Sequence, residues 1–165
     1  MEILDLYDRH MIKTDKTVVR GEKVPEGMFY SVVHIWPINK NGEILIQKRA
    51  DSVQWNPNIW ACTSGAVSSG ENFYEACQRE LKEELGIIAD GNMLSMVGVF
   101  KRPVNYCSVW TYKTDASISE LVFQKEEVSD AMWVTVPEIC RMISMKSFYS
   151  YHYIDYLFWY LTNIL

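Results

Sequence analysis

At 165 residues the chain has the size of one ordinary domain, long enough to bury a core and too short for two substantial ones. Its 48% hydrophobic and 22% charged residues exclude collagen-like, mucin-like and disordered chains. A formal net charge of -5 gives no basic footprint for a nucleic-acid backbone, so a phosphate-bearing substrate would need metal ions between it and the protein.

The opening MEILDLYDRHMIKTDK carries acids every few residues and no apolar run. It is neither a signal peptide nor an anchor, and the expected location is cytoplasmic. Cys62, Cys77, Cys107 and Cys140 form no C-x-x-C pair and no histidine sits at zinc spacing from another, so the thiols are expected to be free. No element is assigned before Tyr30, and that stretch is taken as an N-terminal extension. Tyr30 to Ile38 is β-branched and aromatic, Asn39 to Gly42 is turn chemistry, and Glu43 to Arg49 alternates apolar with polar, which predicts a hairpin. The loop ADSVQWNPN leads to a short strand at Ile59 to Thr63. After the Ser-Gly breaks, a helix is predicted from about Asn72 to Leu85, with Gly86 as its stop. Met96 to Lys101 and Tyr106 to Tyr112 read as strands parted by Arg102-Pro103, and Ala131 to Val136 as another. Pro137 opens a short helix. The tail from Phe148 to Leu165 is the one stretch apolar enough to suggest a membrane. Its stripe of Ile154, Leu157, Phe158, Leu161 and Leu165 opposes His152, Asp155, Thr162 and Asn163, as in an aromatic helix packed on its own domain. Strands without regular βαβ alternation predict an α+β fold, a mixed β-sheet between α-helices, as a single domain over residues 1–165.

The stretch from Gly65 to Ile87 carries the chemistry. At about 100° per residue, Phe73, Tyr74, Cys77, Leu81 and Leu85 form an apolar arc. Glu84 falls inside that arc, Glu80 and Glu83 lie along its edge, and Glu71, Glu75, Gln78, Arg79 and Lys82 take the opposite side. Three carboxylates at the edge of a buried face repel one another and lose hydration, which calls for a cation among them. Carboxylates are hard oxygen ligands suited to Mg²⁺ or Mn²⁺. The preceding loop has the outline of a P-loop, but Glu71 stands where a phosphate-binding lysine belongs and Asn72 where Ser or Thr would hold the metal. No G-x-S-x-G elbow occurs, and the serines lack an evident histidine partner.

The same stretch resembles the Nudix box, G-x5-E-x7-R-E-U-x-E-E-x-G-U with U aliphatic. Gly65, Glu71, Arg79, Glu80, Leu81, Glu83, Glu84, Gly86 and Ile87 fill every defined position. With seven fully specified residues each used at ~7%, a chance match is on the order of 10⁻⁸ per starting position. The resemblance implies a mixed sheet between helices and hydrolysis of a small-molecule diphosphate. It also implies Glu80, Glu83 and Glu84 as ligands of Mg²⁺ (or Mn²⁺), with backbone oxygen near Ser64 or Gly65 as a further ligand. Glu80, Glu83 and Arg79 are the implied catalytic residues, Arg79 pairing with Glu83 one turn on. Gly65, Glu71 and Gly86 are structural, Glu71 bracing loop and helix. A further acid from a later loop often completes such a site; Glu127 fits best, with plain surface solvation of Glu126 and Glu127 as the competing reading.

The N-terminal half, with its DLYD opening, VPEGMFYSVVHIW, GEILIQKRA and a Pro-to-Trp loop, is similar to the branch containing isopentenyl-diphosphate isomerase. That enzyme's cysteine and histidine around the box glycine are replaced by Ser64 and Ala66, and VNYCSVW offers no Glu-x-Glu pair. Cys62 lies two residues too early. Isomerisation needs a proton donor and acceptor on opposite sides of the substrate, whereas hydrolysis needs only the carboxylates and metal that are kept. Arg49 matches an arginine that contacts diphosphate in that branch, and is equally readable as a strand-end surface residue. The readings to be compared are a Mg²⁺-dependent diphosphate hydrolase, an isomerase, and a non-catalytic nucleotide-sensing module, with neither nucleic acid nor membrane as partner and a monomer or homodimer as the assembly.

Overall fold

The computed structural model describes residues 2–164. β1 (Ile3–Tyr7) and β2 (Lys13–Val19) pair antiparallel in a separate two-stranded sheet. The sequence reading left this stretch without an element. Its signal is weak because β2 exposes nearly every side chain and only Val18 turns inward, onto Leu4, Leu6 and Ala66.

The main sheet is built around β3 (Tyr30–Ile38). This strand runs parallel to β8 (Asn105–Lys113) over its whole length and antiparallel to β6 (Thr63–Ala66). β4 (Ile44–Arg49) meets β3 only at Ile38↔Ile44, then diverges to pair with β5 (Trp60–Ala61) and β9 (Val128–Val134). The expected hairpin is therefore splayed, and the expected strand Ile59 to Thr63 fills the gap as two strands. Its first part lies on β4, and after Cys62 the chain crosses to β3. β7 (Leu94–Lys101) closes the other side against β8.

Alternation along β3 sends successive side chains to opposite faces. Val33 and Ile35 meet Cys77, Leu81 and Leu85 of α1 (Phe73–Leu85). Trp36 joins a second core with Ile139 of α2 (Val136–Ser144) and with Ile154 and Leu157 of α3 (Ile154–Asn163). The result is the expected mixed sheet between helices. Asn72 caps α1 by accepting from the backbone N–H of Tyr74 and Glu75, Glu75 returns a bond to the Asn72 N–H, and Gly86 ends the helix at φ 72. Tyr74, assigned to the apolar arc, is instead 38% exposed.

The terminal helix starts at Ile154 rather than Phe148. The residues before it extend the sheet edge: Trp60 N–H donates to the Ser147 carbonyl and Tyr149 N–H to the Trp60 carbonyl, at 3.0 and 2.9 Å. Tyr151 and Tyr153 then pack edge-on against Trp36. His152, Asp155, Thr162 and Asn163 are exposed as expected; Leu165 of the stripe lies outside the described residues. Among those residues no helix is long and apolar enough to cross a membrane.

Candidate active site

The site forms where the loop after β6 turns into α1. Spacing of four residues puts Glu80 and Glu84 on one face of the helix, toward the sheet. Both are buried, while the Glu83 side chain, off the edge of that face, is 50% exposed. Gly65 is required by close approach: a Cβ there would overlap the Glu80 carboxylate.

Arg79 does not lie on a solvated face as the helical projection had it. Its Nε and Nη2 donate to the two oxygens of Glu71 at 2.9 and 3.0 Å. Nη1 reaches Glu80 at 2.6 Å and Glu83 at 3.0 Å. Nη2 also donates to the Ala66 carbonyl at 2.8 Å, tying helix to loop. The projection failed because a long side chain can reach back over its neighbours to an acid outside the helix. Glu71 also accepts from the Ser68 N–H at 3.0 Å, so the Arg79–Glu71 pair spans loop and helix start.

Glu84 has no cation on it. Its Oε2 accepts from Gln47 Nε2 at 2.8 Å and from the Ser64 N–H at 3.2 Å. Gln47 is itself oriented by Thr63 Oγ1, which donates to its Oε1 at 2.9 Å. Burial, and then the charge of Glu80, push the Glu84 carboxyl up to about 8 against the two hydrogen bonds. Burial raises Glu80 to about 7, opposed by Arg79 and reinforced by Glu83. Carboxylic acids displaced this far mark a place where negative charge is crowded and poorly hydrated.

These groups line a cleft of about 300 Å³ together with Ser64, Gly65, Ser68, Gln124 and Glu127. Glu127 thus stands beside the box acids, and Arg49 does not: its Nε donates to the Trp55 carbonyl at 2.8 Å, and it does not line the cleft. Two further members, Glu2 and Arg20, come from the N-terminal hairpin. Sequence reasoning missed Gln47, Arg20 and Glu2. Gln47 sits in an alternating strand, which marks it as outward-facing, yet it is 2% exposed. Among the described residues no three His, Cys, Asp or Glu side chains already converge as a metal cage; Arg79 bridges Glu80 and Glu83, and Gln47 engages Glu84. A larger cavity of about 560 Å³, lined by Ile38, Lys40, Lys113, Asp115 and Leu161 among others, shares no lining residue with this cleft and holds no glutamate.

Cys62 belongs to the core on the other face of the sheet and bonds Tyr151 Oη at 3.2 Å, where burial drives its thiol far up. No cysteine or histidine lines the acidic cleft.

A NUDIX domain model matches residues 28–156 of the chain. The Nudix hydrolase lmo0368 of Listeria monocytogenes is 35% identical over 159 residues, covering 96% of this chain and 94% of that protein. The crystal structure of DR0079 from Deinococcus radiodurans superposes with a TM-score of 0.79 at 23% identity, covering 93% of this chain and 96% of that one. The NUDIX domain of Shewanella oneidensis NrtR, solved with ADP ribose, gives a TM-score of 0.55 at 14% identity over 67% of this chain and 75% of that one, a likeness of fold alone.

Proposed function

From the premise that the chain belongs to the Nudix family and is a Nudix hydrolase, we propose that it hydrolyses an organic diphosphate, such as a nucleoside-diphosphate-type compound, in a Mg²⁺- or Mn²⁺-dependent reaction, the whole chain acting as one domain. The observation that carries this is the pair of buried acids, Glu80 and Glu84, one turn apart and facing a polar cleft. Glu2 pairs with Arg20 at the rim of that cleft, which leaves Glu80, Glu83, Glu84 and Glu127 against the guanidinium of Arg79. A divalent cation balances such a set, and its donors are the hard oxygens that Mg²⁺ and Mn²⁺ prefer. Glu80, Glu83, Glu84 and Glu127 would hold the ion, which when bound supplies charge neutralisation of the diphosphate and acidification of the attacking water.

The chain's own residues divide the remaining work. Gln47 and the Ser64 N–H orient Glu84. Arg79 fixes Glu80 and Glu83 in relation to each other, and Glu71 fixes Arg79. Glu83, the most exposed of the three box acids, is within reach of solvent and is the acid we assign to accept the proton from water. Arg49 would meet substrate outside this cleft, through a phosphate on the side of the Trp55 loop. Retention of all the box acids favours catalysis over a sensing module. The cleft lining, among the described residues, holds neither the thiol nor the imidazole with which the isomerase branch moves its protons, which favours hydrolysis.

The test is a panel of nucleoside di- and triphosphates, sugar nucleotides, dinucleotides, coenzyme A and prenyl diphosphates, assayed for phosphate or monophosphate release in Mg²⁺. Release from at least one class, lost in excess chelator, is expected. Turnover that persists in chelator, or an allylic product from isopentenyl diphosphate, overturns the reading.

A further inference from the structure

The family match begins at residue 28, after the N-terminal hairpin. The hairpin is nevertheless bolted to the loop that shapes the active site. The Asp5 carboxylate accepts from Ser69 Oγ and the Gly70 N–H, both at 2.8 Å. Ser69 N–H donates to the Ile3 carbonyl at 2.8 Å, and Leu4 bridges to Ser68. Leu4, Leu6 and Val18 bury against Ala66 beneath these bonds. These contacts fix the residue just beyond β2, Arg20, at the rim of the acidic cleft.

Arg20 differs from the cleft's other cation. Arg79 spends all three guanidinium nitrogens on Glu71, Glu80, Glu83 and the Ala66 carbonyl. Among the described residues Arg20 spends only Nη1 on a side chain, donating to Glu2 at 2.7 Å, and its side chain is 56% exposed. It lines the same cleft as Glu80 and Glu127. Nε and Nη2 therefore remain for an anion arriving above the acids. A guanidinium matches two phosphate oxygens at once, which an ammonium cannot do.

Resting on the hydrolase reading above, we infer that Arg20 is a substrate-binding residue, supplied by the N-terminal hairpin, that grips the non-bridging oxygens of the substrate's diphosphate, with Glu2 as its resting counter-ion. Held at the rim, it contacts the diphosphate in the ground and transition states alike, so its contribution falls on KM more than on kcat.

Arg20→Gln, Arg20→Lys and Glu2→Gln are compared with wild type in two measurements: kinetics on whichever panel substrate turns over, and calorimetric binding of methylenediphosphonate, a diphosphate that cannot be hydrolysed, in Mg²⁺. Arg20→Gln is expected to raise KM and weaken methylenediphosphonate about tenfold or more, with a smaller change in kcat. Arg20→Lys should restore part of both losses. Glu2→Gln breaks the same ion pair but keeps the guanidinium, and neither quantity should worsen. If Glu2→Gln raises KM as much as Arg20→Gln, the ion pair is a latch for the hairpin and the inference falls. Unchanged KM and affinity in Arg20→Gln, with an active wild type, overturns it while the hydrolase reading stands. A wild type that turns over nothing removes the hydrolase reading, and the binding arm still decides Arg20. A wild type that does not bind methylenediphosphonate either overturns both.

Discussion

Glu84 is placed against the interest of stability, which makes its function testable apart from its structure. Glu84→Gln keeps both hydrogen bonds, since an amide oxygen can accept from Gln47 and the Ser64 N–H. An acid raised to about 8 in the folded protein, from an ordinary value near 4.5, binds its proton more tightly when folded. Its contribution is fully favourable below about 4.5 and is lost as pH rises through 8. In chelator at pH 9, Glu84→Gln should be at least as stable as wild type, by denaturant unfolding, and more stable by on the order of 1 kcal/mol. Its Mg²⁺-dependent turnover should fall at least ~100-fold. A large loss of stability would make Glu84 a structural acid.

Gly65 gives a second separation of the two roles. The atoms that an added methyl would strike belong to the mobile end of Glu80 rather than to backbone. Gly65→Ala should fold, with a small drop in melting temperature, and lose roughly tenfold or more in activity because the displaced carboxylate is a proposed ligand. Unaltered turnover would show that the position of Glu80 does not matter.

On the opposite face of the sheet, His34 pairs with Tyr153 Oη at 2.6 Å. Burial, and then the charges of Arg102 and His152, lower it from 6.5 to about 3. A buried neutral histidine stabilises fully above its unfolded value, and this is lost as pH falls from 6.5 toward 3. Between pH 7 and pH 5 wild type should lose about 1–2 kcal/mol relative to His34→Gln. That difference isolates His34 from the buried acids, whose dependence runs the other way. Parallel stability curves for the two proteins would contradict the assignment.

At the level of elements, what could be read in advance follows the range of the interactions. The start and stop of α1 depend on Asn72, Glu75 and Gly86, all within a few residues of the helix ends, and both were legible. Asn72→Ala removes the side-chain acceptor that caps the Tyr74 and Glu75 N–H groups, while the bond from its own backbone N–H to Glu75 can persist, and should cost about 1 kcal/mol in chemical denaturation; no change would mean that tertiary contacts alone hold the helix start. From β3 onward strand existence was legible in the residue pattern, whereas β1 and β2 were not, and strand partners were legible nowhere. The Asn39 to Gly42 turn implied that β3 and β4 pair along their length, yet β3 takes β8, with Tyr30 opposite Asn105, and β4 takes β9. The site divides the same way. The box acids are spaced by one helix turn and announce themselves, whereas Gln47 and Arg20 reach the cleft only through pairings that local sequence does not encode. Arg49, assigned by resemblance, sits on the right strand but donates to the Trp55 carbonyl rather than facing the acids.

Across the whole molecule the sheet separates two environments. One face and α3 enclose a core of aromatic side chains, in which Trp36 meets Phe148, Tyr151 and Tyr153, and Tyr151 meets Phe148. The other carries α1, whose far edge opens onto the acidic cleft. The hairpin of β1 and β2, docked on the loop between β6 and α1, brings that cleft its second guanidinium. A chain of net charge -5 that gathers carboxylates in one partly buried place should bind anions there only with cations supplied. The most direct test is a Mn²⁺ titration followed by electron paramagnetic resonance, on wild type and on Glu84→Gln. Wild type is expected to bind Mn²⁺, and the variant to bind it at least about tenfold more weakly; equal binding by the two proteins would remove Glu84 from the ligand set.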